Sequence, residues 1–137
     1  MTILGFDPGR DKCGIAVMSA EGDLFYHEVV PAAEAIATIA QLCDRFAVLT
    51  IAMGDRTTSK SWQQKLQENL PDRMTIVRVN ERNSTLEARD RYWKMYPPKG
   101  LSRLIPQGMR VPPRPVDDIV AILLIERYWQ QQQTANP

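Results

Sequence analysis

Short apolar runs separated by turn residues fill the first part of the chain. The runs lie at residues 2–7, 13–18 and 24–30; the first ends in Asp-Pro-Gly, and a Glu-Gly-Asp sequence precedes the third. Both sequences are typical of tight turns, because Asp, Gly and Pro suit the backbone angles that turns require. The pattern therefore predicts three strands joined as an antiparallel meander.

From Pro31 onward the apolar positions change to a helical spacing. Between Ile36 and Cys43 they recur every three or four residues, which predicts a helix with one buried face. Ser84 and Glu87 have the spacing of a capping box, in which the two side chains bond to the first turn of a helix. The same reasoning predicts strands at residues 47–53 and 74–79, and helices at residues 59–70, from Ser84 onward and at 116–129.

The order of these elements predicts the fold class. A three-stranded meander followed by alternating helices and strands gives an α/β domain with a five-stranded mixed sheet flanked by helices. This is the plan of the RNase H-like fold, with strand order 3-2-1-4-5. We expect a single RNase H-like domain over residues 1–130 and a disordered, glutamine-rich tail at 131–137. Six prolines between residues 97 and 115 predict a long irregular loop.

Composition narrows the class of protein. The chain is 44% hydrophobic and 24% charged, as in ordinary soluble domains. It contains no apolar run near the roughly 20 residues that span a bilayer, and its start lacks the features of a secretory signal. Cys13 and Cys43 lie in apolar stretches without metal-binding spacing, so we expect a reduced, cytoplasmic protein. The sequence contains one histidine, His27, so a catalytic Ser-His-Asp triad has only that residue to draw on.

Charge is uneven along the chain although its net value is only +1. Between Arg82 and Arg114 there are eight basic residues and two acidic ones. Such a segment is typical of a surface that binds the phosphates of nucleic acid. A solvent-exposed loop and helix face explains the basic residues equally simply. The candidate phosphate contacts are Arg82, Arg89, Lys94, Arg103 and Arg110.

Several carboxylates follow predicted strands or begin the last predicted helix. Asp7 ends the first strand and Glu81 follows the fifth. Each has a simpler explanation, a turn residue for Asp7 and a solvated loop for Glu81. Asp117 and Asp118 open the last helix, where the helix dipole favours acids. Because neighbouring helical residues diverge by about 100°, we expect Asp117 to face the other acids and Asp118 to face solvent.

The expected strand order also bears on which acids can meet. Strands one and five lie two spacings apart, about 9.6 Å, which strains a direct bridge between Asp7 and Glu81. Asp55 follows strand four, beside strand one, and has the easier geometry. Oxygen ligands of this kind suit Mg²⁺ or Mn²⁺. Such ions hydrolyse phosphodiester bonds without a protein nucleophile, so the candidate metal ligands are Asp7, Glu81, Asp117 and Asp55.

Three segments of the sequence resemble one known family. Residues 3–9 with residues 14–17 resemble the first-strand motif of the YqgF/RuvX family, which belongs to the RNase H-like superfamily together with the Holliday-junction resolvase RuvC. Residues 80–89, Asn-Glu-Arg-Asn-Ser-Thr-Leu-Glu-Ala-Arg, are similar to its Asp-Glu-Arg-Leu-Ser-Thr-Val-Glu-Ala segment, and residues 116–126 resemble its last-helix motif. The resemblance implies that the catalytic acids are Asp7, Glu81 and Asp117. The chain departs from the family at Asn80 and Asn83, which replace Asp and Leu.

The resemblance implies a metal-dependent nuclease that processes the 5′ end of precursor 16S ribosomal RNA. The closest alternative is a resolvase of four-way DNA junctions, whose paired cuts would require a homodimer, whereas the first activity is compatible with a monomer. A third alternative is a nucleic-acid-binding scaffold without catalysis. In each case the partner is nucleic acid, and no membrane is involved.

Overall fold

A single mixed sheet organises the chain. The computed structural model describes residues 1–135, and its five strands have the order β3-β2-β1-β4-β5. The strands are β1 (Thr2–Asp7), β2 (Lys12–Ser19), β3 (Leu24–Pro31), β4 (Thr50–Gly54) and β5 (Thr75–Val79). The helices are α1 (Ala35–Arg45), α2 (Ser59–Asn69), α3 (Ser84–Met95) and α4 (Asp117–Ala135). The predicted α/β class and strand order are therefore confirmed.

The central strand, β1, is antiparallel to β2 and parallel to β4, which is in turn parallel to β5. Asp7 pairs with Gly14 across the first hairpin. Since β1, β4 and β5 run in the same direction, their carboxyl ends open on one edge of the sheet. The residues that follow these three strands are thus brought close together.

Each face of the sheet carries its own apolar core. Ile3, Ala16 and Ala52 pack on one face with the buried side of α4, whereas Leu4, Phe6 and Ile51 pack on the other with α1 and α2. Alternate residues of one strand enter different cores because successive side chains of a strand point to opposite faces. Burial on both faces explains the nearly continuous apolar runs of β1 and β4.

Two glycines allow α4 to lie unusually close to the sheet. A Cβ atom at Gly5 would overlap the backbone carbonyl of Ala121, and one at Gly14 would overlap that of Asp117. Only a residue without a side chain fits such a close approach of two backbones. These contacts fix the first turn of α4 over the hairpin that carries Asp7.

Some predicted boundaries were wrong. The fourth strand begins at Thr50 instead of residue 47, because Ala47 takes a left-handed conformation (φ 53°) in the turn that follows α1. The last helix continues beyond residue 129 to Ala135, so residues 131–135, predicted to be disordered, are helical. The rest of that predicted tail, residues 136 and 137, lies outside the described residues.

The predicted capping box at α3 does not form. The residue before the helix is Asn83, in a left-handed conformation (φ 60°), and no side chain caps the helix. The Ser84 hydroxyl is buried without a hydrogen-bond partner. Glu87 instead forms an ion pair with Arg127 of α4 at 3.0 Å. The packing of α3 against α4 thus redirects the side chain that would have closed the box.

The proline-rich segment is irregular, as predicted, with two short 3-10 turns at Gly100–Leu104 and Gln107–Met109. Arg110 holds the segment together by donating to the carbonyls of Ser102 and Arg103, both at 3.2 Å. None of the helices in residues 1–135 combines the length and apolar character needed to cross a bilayer.

Candidate active site

Two buried carboxylates meet at the edge of the sheet where the parallel strands end. Asp7, the last residue of β1, is 3% exposed, and Glu81, two residues beyond β5, is 6% exposed. A buried carboxylate is costly unless a partner compensates for the lost hydration. Acidic residues in ordinary turns and loops are exposed to solvent, so the burial of Asp7 and Glu81 argues against a simple turn or loop role for either.

Gly54 explains how Glu81 reaches Asp7 across the intervening strand. A Cβ atom at Gly54, the last residue of β4, would collide with the Glu81 carboxyl group. The Glu81 side chain therefore lies directly over the end of β4. The spacing argument that favoured Asp55 considered only the distance between strand backbones. It failed because the long Glu81 side chain crosses β4 at Gly54, where β4 has no side chain.

The two carboxyl groups strongly perturb each other. Burial is the largest of the causes that raise the pKa of Asp7 to about 9, and the adjacent Glu81 carboxyl is the next. Arg56 opposes this rise in pKa, and the negative charge of Asp117 adds to it. The two acids lie close enough to share a proton, although no oxygen pair has the geometry of a well-formed hydrogen bond.

Arg56 and Asp55 follow β4 and both contact Glu81. The Nε atom of Arg56 lies 3.0 Å from Oε2 of Glu81, an ion pair that lacks hydrogen-bond geometry. Asp55 is exposed, and its Oδ1 accepts a hydrogen bond from the Glu81 backbone N–H at 3.2 Å. Asp55 thus contacts the backbone of Glu81 and is not brought to the Asp7 carboxyl.

Arg127 fastens the loop that carries Glu81. Its guanidinium group donates to the carbonyl of Asn80 at 2.6 Å and to that of Arg82 at 2.9 Å. Together with the Asp55 contact, these bonds hold the backbone of residues 80–82. Sequence reasoning missed Arg127, since nothing local relates position 127 to position 81. Arg56 could have been anticipated, because it follows the strand beside Glu81.

The two acids that open α4 differ in their surroundings. Asp117 is partly buried and acts on Asp7 through its charge, so the structure places it on the predicted side. The prediction that Asp118 faces solvent was wrong, since it is 2% exposed. Asp118 binds Nδ1 of His27 at 2.6 Å and Arg114 at 2.9 Å. The hydrogen bond with His27 and the ion pair with Arg114 compensate for its burial, and the sequence pattern alone does not reveal them.

Several oxygens of the acidic group have no hydrogen-bond partner. They are Asp7 Oδ1, Glu81 Oε1 and Oε2, and Asp117 Oδ2, all buried. Glu81 Oε2 is ion-paired with Arg56, so Asp7 Oδ1, Glu81 Oε1 and Asp117 Oδ2 are left without any partner among the described residues. Buried polar atoms are normally satisfied, so these three indicate a missing cationic or hydrogen-bonding partner. Within residues 1–135, no three acidic, histidine or cysteine side chains are already close enough to form a ligand shell. The acids meet as a pair, Asp7 with Glu81, and Asp117 lies nearby.

Comparison with known proteins identifies the family. The model of the Tex protein YqgF-like domain matches residues 1–88. The chain belongs to this family. The matched part of this YqgF-like chain includes Asp7 and Glu81, and Asp117 lies beyond it. A search of curated proteins found no match.

Two solved structures resemble the YqgF-like chain over nearly its whole length. RuvC from Thermus thermophilus covers 96% of this chain and 97% of its own, with 16% identity and a TM-score of 0.60. The same organism's RuvC in complex with a Holliday junction substrate covers 96% of both chains, with 18% identity and a TM-score of 0.55. At this identity the likeness concerns the fold, and it confirms the RNase H-like prediction.

The predicted phosphate contacts of this YqgF-like chain fall into two groups. Arg82, Arg89, Lys94 and Arg103 are exposed, as phosphate binding requires. Arg110 is partly buried, bonds to two carbonyls of its own loop and lies 5.9 Å from the Trp93 ring centre. Its guanidinium group is therefore largely occupied within the fold, because the proline-rich segment needs a donor for its carbonyls.

Proposed function

We propose that this protein is a divalent-metal-dependent nuclease that hydrolyses phosphodiester bonds in structured nucleic acid. The observation that carries the proposal is a set of three buried carboxylate oxygens, one each on Asp7, Glu81 and Asp117, that have neither a hydrogen bond nor an ion pair among the described residues. Oxygen-only, anionic ligands are those that Mg²⁺ and Mn²⁺ prefer. The raised pKa of Asp7 supports the same conclusion, because a dication beside it would stabilise the ionised form that burial and Glu81 disfavour.

Asp7 and Glu81 would hold the metal, with Asp117 completing the set. A metal ion held there would supply an activated water and would stabilise the leaving oxygen of the phosphodiester. Asp55 and Arg127 would act as positioning residues, since they bind the backbone on either side of Glu81. Arg56, half exposed beside Glu81, would contact a substrate phosphate.

The exposed basic residues would bind the substrate backbone. Arg82 and Arg89 lie in the segment that follows Glu81, so phosphates near the cut would meet them first, and Lys94 and Arg103 would extend the contact. Basic contacts of this kind position a nucleic acid without selecting its sequence. Arg110 is the weakest of the five candidates, because its donors already serve its own loop.

We further propose that the substrate is the 5′ end of precursor 16S ribosomal RNA. We propose that it is cut in the cytoplasm, where the buried thiols of Cys13 and Cys43 would stay reduced. This assignment rests on the motif of residues 80–89. A four-way DNA junction is the second candidate, and the RuvC–junction complex, whose fold matches 96% of this chain, favours it. A non-catalytic scaffold is the third, which the retained acids oppose.

A cleavage assay tests the proposal. Purified protein is incubated with an RNA that spans the 16S precursor 5′ junction, with a four-way DNA junction, and with linear duplexes of each, in Mg²⁺, Mn²⁺ or EDTA. We expect metal-dependent cuts in the precursor RNA and none in EDTA. Cleavage confined to the junction would select the resolvase alternative. Binding without cleavage in either metal would overturn the nuclease proposal in favour of the scaffold.

Replacement of Gly54 with alanine should separate metal binding from folding. The new Cβ would displace the Glu81 carboxyl, which is the end of a side chain and can turn away. We expect the affinity for Mn²⁺, measured by calorimetry, to fall about tenfold or more, equivalent to about 1.4 kcal/mol. The free energy of unfolding without metal should change by less than about 1 kcal/mol.

The matched control for this variant is Gly108→Ala, because a Cβ at Gly108 meets open space. It should leave both the Mn²⁺ affinity and the stability unchanged. A Gly54→Ala protein that binds Mn²⁺ as tightly as the wild type would show that Glu81 is not a ligand.

A further inference from the structure

A polar cleft lies on the outer side of the loop that carries Glu81. One wall consists of Asn80, Arg82 and Asn83, and the other of Gln130, Gln131 and Thr134 near the end of α4. It is a shallow groove, largely open to solvent, with a volume of about 670 Å³. We call this feature the amide cleft, after its four carboxamide side chains.

We propose that the amide cleft binds unpaired nucleotides of the nucleic-acid substrate next to the bond that is cut. The inference rests on the proposed nuclease function and adds to it the form of substrate, a single-stranded stretch beside structured nucleic acid.

The chemistry of the lining favours this ligand. A carboxamide offers both donors and an acceptor, which match the edges of nucleobases without adding charge. Arg82 and Arg127 also line the cleft, and none of the described residues that line it is acidic. Arg127 is already bound to the loop and to Glu87, so Arg82 is the guanidinium group that would meet a ligand. A guanidinium group suits phosphate or the face of a base. Bases expose their pairing edges only when they are unpaired, so such a lining would form the most hydrogen bonds with a single strand.

The position of the cleft connects it to the acidic pair. Glu81 lies between Asn80 and Arg82; its side chain extends inward over Gly54 to Asp7, and both neighbours line the cleft. A strand whose scissile phosphate lies at Asp7 and Glu81 would therefore enter the amide cleft directly.

The cleft is also held in shape before any ligand arrives. Arg127 ties the loop to α4 through the carbonyls of Asn80 and Arg82, and Glu87 completes the contact. Arg127, Gln130, Gln131 and Thr134 recur at helical spacing, so they share one face of α4. Walls that are already ordered lower the entropic cost of binding.

Matched glutamine variants test the proposal. Gln130→Ala with Gln131→Ala removes two carboxamides from the cleft. Gln132→Ala with Gln133→Ala makes the same chemical change on exposed residues of α4 that do not line it. Both double variants should melt like the wild type, because all four glutamines are exposed.

The readout is fluorescence anisotropy in EDTA, so that binding is measured without cleavage. The probes are a labelled blunt RNA duplex and the same duplex with a single-stranded arm. We expect the first double variant to bind the armed RNA about tenfold more weakly and the blunt duplex as the wild type does. The second double variant should bind both probes normally.

The outcomes distinguish this inference from the proposed function. If the wild type fails to bind the armed RNA better than the blunt duplex, or the first double variant binds both probes like the wild type, the amide cleft proposal is overturned even where metal-dependent cleavage is observed. If the first double variant alone loses the armed RNA while the wild type cleaves nothing, the cleft is supported and the nuclease proposal fails.

Discussion

Asp7→Asn should abolish metal-dependent cleavage and, without metal, make the fold more stable. Asp7 is 3% exposed and lies against Glu81, an arrangement that raises its pKa to about 9. With that pKa the buried carboxyl carries a proton at neutral pH, whereas the carboxyl of the unfolded chain is ionised, and an uncharged amide of the same shape avoids the cost of this protonation. We expect the free energy of unfolding of the metal-free protein to rise by about 2 kcal/mol.

The same substitution removes a ligand of the proposed metal. Cleavage should fall by about 10³-fold, since metal contributes several kcal/mol to the reaction and each 1.36 kcal/mol is a factor of ten. Urea unfolding with and without Mn²⁺ measures the stability. The stabilisation by Mn²⁺ that the wild type should display would be absent from the variant.

Asp11→Asn is the matched control, because Asp11 is an exposed acid in the turn that follows Asp7. It should change stability by no more than about 0.5 kcal/mol and leave cleavage intact. An Asp7→Asn protein that still cleaves in Mg²⁺, or one that is less stable without metal yet still stabilised by Mn²⁺, would contradict our account of the site.

Gly14→Ala should damage the fold and the site together. The new Cβ would overlap the carbonyl of Asp117, which is backbone and cannot rotate away. The first turn of α4 would have to lift from the sheet, exposing the apolar contacts that it makes there. We expect the free energy of unfolding to fall by about 3 kcal/mol or more, measured by urea denaturation.

The site should respond because Asp117 moves with this turn. The stabilisation by Mn²⁺ should therefore shrink even if the variant remains folded by circular dichroism. Gly54→Ala provides the contrast, since its Cβ meets a side chain that can turn. Equal losses of stability in the two variants, or a Gly14→Ala protein as stable as the wild type, would show that the close approach of α4 does not hold the fold in this way.

The buried His27–Asp118–Arg114 cluster has a structural explanation that does not involve catalysis. Asp118 is 2% exposed and binds both His27 and Arg114, so its carboxylate has two partners where α4 crosses β3. A buried acid with two partners differs from Asp7, whose Oδ1 has none. Asp118 at the start of α4 and Asp7 at the end of β1 are thus both buried aspartates, but their electrostatic environments are opposite.

The sequence by itself determined the order of strands and helices and the edge where the acids gather. Short apolar runs between turn residues mark the strands and apolar positions at helical spacing mark the helices, because both patterns follow from the geometry of single elements. Asp7 and Glu81 could be named for the same reason, since each follows an apolar run whose direction the fold fixes. The parallel arrangement of β1, β4 and β5 then places their ends together.

Only the tertiary structure decided how those acids meet and what surrounds them. Glu81 reaches Asp7 because Gly54 has no side chain, and α4 approaches the sheet because Gly5 and Gly14 have none. The roles of Arg127 and of Asp118 depend on contacts between positions far apart in the chain. Local pattern carries no information about such contacts, because they arise from the packing of whole elements and the space that particular glycines leave open.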